Sequence, residues 1–168
     1  SQPGVFMRRS VLEKAGYLGL DYHFLLDVEL WLRMAAIAEP FYVPDVVWSA
    51  ARMHADAKNR AQALNFGPEA FRIAKWLCED ERFYPLSARI FKQIWAGAYR
   101  IDAFYRVEAE DYRGALKSYR EMLKLQPIQA PKAYARLVKS LINIMGFKNL
   151  GKTYEHLREK IGKKRLRE

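Results

Sequence analysis

From about residue 57 onward the apolar residues of this chain return every three or four positions, and proline or glycine interrupts each run. That periodicity restricts the region to helices packed through one face. A helix is predicted over 58–66, stopped by Gly67-Pro68. Pro68 then suits the first position of a helix running through 71–78. Pro85 opens a longer helix, with Phe91, Ile94, Ala98, Ile101 and Tyr105 on one stripe. Residues 112–125 place Tyr112, Leu116, Tyr119 and Leu123 on one face, and residues 132–145 do the same with Tyr134, Leu137, Leu141 and Ile144. Pro127 and Pro131 bracket a turn, and Gly146 is the last stop before a basic helix at about 149–161. Helices joined by connections this short form antiparallel hairpins.

The first 56 residues read differently. Val5-Phe6-Met7 is strand-like. Ser10-Val11-Leu12-Glu13 has the spacing of a capping box, and Gly16 follows as a left-handed C′ residue. Residues 17–26 form a loop, with Gly19 and Asp21 as turn formers. Asp27 stands at an N-cap position ahead of Val28, Trp31, Leu32, Ala35 and Ala38, a helical stripe that Pro40 ends. Phe41-Tyr42-Val43 and the run from Val46 to Met53 read as two further extended segments. Strand, helix, loop, helix, strand, strand is α/β texture. The expected fold is therefore an α/β fragment over 1–56 and an all-α region over 57–168, mostly α overall. Within the helical region Ala103, Ala115, Tyr119 and Pro127 resemble the small, small, aromatic and proline positions of a tetratricopeptide unit. A generic helical hairpin meets the same pattern, so no peptide groove follows from it.

Apolar residues make up 51% of the chain, which argues for an ordered core. The opening Ser1-Gln2-Pro3-Gly4-Val5-Phe6 lacks Met and a signal-peptide pattern, and reads as a piece of a longer polypeptide. The single cysteine, Cys78, excludes an internal disulfide and suits a reducing, cytoplasmic compartment. Charge is divided unevenly. Residues 1–60 hold seven basic and seven acidic side chains, so the whole net charge of +10 lies beyond them, with eight basic against three acidic in 148–168. Such a surface suits an anionic partner, or is simply a solvated helix face.

The residues that could carry chemistry lie in the first part. Asp27 and Glu29 precede Arg33 on one element, and Arg52-Met53-His54 ends an extended run followed by Lys58. A carboxylate beside such a site can take a proton from a hydroxyl nucleophile. Basic residues at a strand end can hold phosphates, and a histidine there can reach a divalent metal. Each also has a plain structural reading: Asp27 as an N-cap, His54 as a surface residue, Arg33 as the partner of Glu29 one turn away.

The order of these blocks resembles the C-terminal half of a family 2 glycosyltransferase. The blocks are Gln2-Pro3-Gly4-Val5-Phe6-Met7-Arg8-Arg9, Val11-Leu12 with Gly16, Asp27 to Arg33, Tyr42-Val43-Pro44, and Arg52-Met53-His54 with Lys58-Asn59. The resemblance implies part of a GT-A, Rossmann-like domain over 1–56, transferring sugar from a nucleotide-sugar to a carbohydrate or lipid-linked acceptor hydroxyl. It implies Asp27 as general base, although Leu26 stands where the family often has Glu. Glu29, Arg33, Arg52 and Gln2 would bind substrate, Trp31 would anchor the core, and His54 would reach the metal, Mg or Mn, or the diphosphate. The donor-binding half and its Asp-x-Asp motif would precede residue 1, so residues 1–168 alone should not turn over.

The helical extension would then dock at the inner membrane face, where lipid-linked acceptors lie. The competing reading is a non-catalytic helical interaction module. Nucleic acid is set aside as a partner, because 148–168 has few interleaved aromatics and no binding motif.

Overall fold

The computed structural model describes residues 4–44, 46, 48–49 and 61–146. Its α-helices there are α1 (Arg9–Ala15), α2 (Leu26–Ala35), α3 (Phe66–Glu79), α4 (Leu86–Arg89), α5 (Phe91–Glu108), α6 (Tyr112–Leu125) and α7 (Ala130–Ile144). Over 61–146 the expected helical region is therefore present, but Gly67-Pro68 do not stop a helix, since both lie in the first turn of α3, and Pro131 lies inside α7 rather than bracketing a turn. Pro68 falls in the first turn of α3, where a missing N–H removes no intrahelical bond. Gly146 takes φ of +83° after α7, as its role as a stop requires.

The expected α/β part is not found: among the described residues there is no strand. Val5-Phe6-Met7 and Phe41-Tyr42-Val43 are irregular, and Phe6, Phe41 and Tyr42 are 78%, 91% and 81% exposed. An extended segment with no ladder partner and no apolar cover has little to hold it as a strand. The first segment does approach the run after Val46, because Phe6 and Trp48 meet edge to face at 5.4 Å. Most of 46–53 lies outside the described residues, as does the basic segment 148–168.

Two predicted caps are also corrected. Ser10 lies inside α1, whose N-cap is Arg8 without a side-chain hydrogen bond, and Glu13 instead accepts from Arg9 Nε at 2.8 Å. The i,i+4 ion pair uses the carboxylate that a capping box would need. Asp27 likewise lies within the first turn of α2, and Leu25 is the N-cap. The buried apolar position in this helix belongs to Leu30, while Trp31, the expected anchor, is half-buried.

The core has two clusters. One joins Leu25, Phe66, Ala70, Ile73, Ala74 and Ala98, with Val28 and Leu32 of α2 packed against it. The other joins Ala96, Ala103, Val107, Ala115, Tyr119, Met122 and Ala133. Helix α5 contributes to both and is apolar on two sides for that reason. Ala103 and Ala115 are fully buried, so α5 and α6 approach closely through the small residues singled out above. Asp111 caps α6, its Oδ1 accepting from Gly114 N–H at 2.9 Å.

Candidate functional site

The loop before α2 is held from a distance. Glu69 of α3 is buried, and its carboxylate accepts the backbone N–H groups of His23, Phe24 and Leu25 at 2.8, 2.9 and 2.8 Å. Those donors precede the first turn of α2, where no side chain of the loop itself acts as a cap. Burial opposes the charge on Glu69. The three N–H groups and Arg72 outweigh it and hold the carboxyl below its usual range. One turn on, Arg72 donates to the Asp21 carbonyl and lies 4.0 Å over the Tyr22 ring. A single face of α3 thus fixes residues 21–25 and sets where α2 begins.

The same helix divides its two acidic residues between two tasks. Glu29 is buried and bound by Arg33 at both oxygens, Nε to Oε1 at 2.6 Å and Nη2 to Oε2 at 2.8 Å. Arg33 then donates to the carbonyls of Ala15, Gly16 (3.2 Å) and Tyr17 (2.9 Å) at the end of α1. These are carbonyls that a helix end leaves unpaired, and a planar guanidinium can serve several at once. Gly16 adopts φ of +79° there, which only glycine takes at little cost. Glu29 and Arg33, expected to bind substrate, are thus committed to each other and to joining α1 to α2.

Asp27 is placed differently. It is half-buried in the first turn, and its Oδ1 accepts from Val28 N–H at 2.8 Å. Among the described residues no cation forms an ion pair with it. Its charge is felt at Tyr105 of α5, whose phenol is pushed up by burial first and then by Asp27 and Glu108. Tyr105 stacks on Phe66, with centroids 3.8 Å apart. Tyr105 also lines a cavity of about 240 Å³ between α5, α6 and α7, together with Arg100, Ile101, Phe104, Tyr119, Ala133 and Arg136.

Gln2, Arg52 and His54 lie outside the described residues. Among the described residues Arg33 occupies both oxygens of Glu29, and no group of three His, Cys, Asp or Glu side chains converges. No described helix is long and apolar enough to cross a membrane.

Sequence reasoning missed Glu69 and Arg72, whose partners lie 44–46 and 51 residues away. It also missed the buried Asp102, which accepts from Arg106 Nε at 2.7 Å and from Ser118 Oγ. An acid on the apolar face of a helix is the available signal in both cases, since a buried carboxylate requires donors. Comparison with protein-family models, with curated proteins and with solved structures finds no match to the chain.

Proposed function

We propose that this chain is the acceptor-side portion of a nucleotide-sugar-dependent glycosyltransferase, with Asp27 as the base and a helical extension beside it. The reading rests on the ordered blocks between Gln2 and His54 that resemble family 2 glycosyltransferases. The observation that supports it best is the division of roles in the first turn of α2. A general base must keep a carboxylate able to accept a proton, and one locked bidentately by arginine is poorly suited. Glu29 is so locked and Asp27 is not. In the proposed reaction the acceptor hydroxyl oxygen attacks the anomeric carbon, Asp27 takes the hydroxyl proton, and the nucleoside diphosphate leaves with the bonding electrons.

The test uses the longer polypeptide that this reading requires. Asp27→Asn should lower sugar transfer by about 10²–10⁴-fold with the fold intact. An unchanged rate removes Asp27 from the role. Residues 1–168 alone should not transfer sugar, and measurable turnover by them would contradict the proposal.

A second reading, a helical binding module, is favoured by the cavity between α5, α6 and α7. It predicts that Asp27→Asn leaves function untouched while substitutions around that cavity abolish it.

A further inference from the structure

The cavity between α5, α6 and α7 has a lining with a distinct chemistry. Among the described residues that line it, the charged ones are Arg100 on α5 and Arg136 on α7. They stand on two helices, so they can approach one anion from two directions. The remaining surface includes the rings of Phe104, Tyr105 and Tyr119. Arg136 lies 4.2 Å over the Phe104 ring, which orients its guanidinium plane. Tyr119 is 2% exposed. Burial pushes its phenol up to about 12, against the pull of Arg136 and Arg100, so its hydroxyl stays neutral.

Glu108 opposes this positive charge, as Asp27 does at Tyr105. It acts on Tyr119 and Tyr105 alike, one turn beyond Phe104. It limits the local positive potential without entering the lining.

Guanidinium groups match phosphate oxygens in geometry and charge, and rings provide an apolar wall for a carbon skeleton. A volume of about 240 Å³ lies just below the ~300–1,000 Å³ of drug-sized ligand pockets. It suits one ring with one phosphate better than a whole nucleotide. We propose that this cavity binds a small organic phosphate, with Arg100 and Arg136 taking the anion and Phe104, Tyr105 and Tyr119 enclosing the ring. The assignment does not depend on sugar transfer.

The test is calorimetric titration of the 168-residue chain with phenyl phosphate, inorganic phosphate and glucose 1-phosphate, alongside sedimentation with vesicles of phosphatidylcholine and phosphatidic acid. Saturable one-to-one binding of phenyl phosphate is expected, with inorganic phosphate weaker because it leaves the rings uncovered. Glucose 1-phosphate binding, lost in the same variants, would extend the site to sugar phosphates; its failure beside phenyl phosphate binding would restrict the site to flat rings. Arg100→Gln and Arg136→Gln should each weaken phenyl phosphate binding about tenfold or more, the loss of a charge-assisted contact. Glu108→Gln should strengthen it. Arg100 is exposed, so its variant decides the question even if Arg136→Gln disturbs packing. No binding of phenyl phosphate up to about 10 mM overturns the proposal. So does equal affinity in Arg100→Gln, or inorganic phosphate binding as tightly as phenyl phosphate. Vesicle binding without phenyl phosphate binding also overturns it, and points to a membrane surface instead.

Discussion

Replacing Glu69 by alanine removes the acceptor of three backbone donors at once. Leu25 N–H is buried, while those of His23 and Phe24 are partly so. A buried donor left unpaired costs about 1–3 kcal/mol, and the two partly wet donors about 1 kcal/mol each. Glu69→Ala should therefore destabilise the fold by about 3–5 kcal/mol. Glu69→Gln keeps one acceptor oxygen but turns an NH₂ toward the other donors, so about 1–3 kcal/mol is expected. Urea unfolding followed by circular dichroism gives both differences, and hydrogen exchange at residues 23–25 localises them. The pH dependence carries a definite sign. The folded carboxyl lies below its ordinary value of 4.5. Its stabilisation is thus complete above that value and disappears as pH falls through the folded pKa. The gap between wild type and Glu69→Gln should narrow on acidification below pH 4.5. If Glu69→Ala lies within about 1 kcal/mol of wild type, with amides 23–25 equally protected, the clamp does not stabilise the fold as argued.

Other outcomes follow from the same geometry. Arg33→Leu leaves Glu29 buried without its cation and should lower stability by about 3–5 kcal/mol, with Arg33→Lys intermediate, measured by urea unfolding. Asp27→Asn removes only a first-turn charge and keeps an Oδ1 acceptor for Val28 N–H, so stability should change by less than about 1 kcal/mol in the same assay. A methyl group on Gly67 would lie 2.0 Å from Asp102 Oδ1, whose side chain is pinned by Arg106 and Ser118. Gly67→Ala should therefore separate α3 from α5 and cost about 1–3 kcal/mol, visible as a lower melting temperature. Met122→Ala should cost about 2–5 kcal/mol by leaving a cavity between α5 and α6.

What could be read from the sequence was what periodicity and punctuation encode locally. The span of α6 and the close approach at Ala103 and Ala115 were legible, because a helical stripe and small residues declare a packed face within one turn or two. The break at Ile90 between α4 and α5 was not, since no proline or glycine marks it. Val5 to Met7 and Phe41 to Val43 carry strand-forming residues, but strand formation depends on a partner, and residue preference does not supply one. The caps failed for a related reason: Ser10 and Asp27 are good capping residue types, but α1 and α2 begin at Arg9 and Leu26, one residue before each. Around the candidate site, Glu29 beside Arg33 was legible as an i,i+4 pair. That Arg33 also closes the end of α1 was not, because its carbonyl partners lie 16–18 residues away.

Helix α5 has a consequence for how the molecule comes apart. It is the common wall of both clusters, with Ala98 in one and Ala96, Ala103 and Val107 in the other. Neither half can lose its packing without exposing a side of α5 that the other half needs. The two clusters should therefore open as one cooperative unit, with α5 amides exchanging only through global unfolding. Damage confined to α3 or α6 should still be felt across the whole helical region.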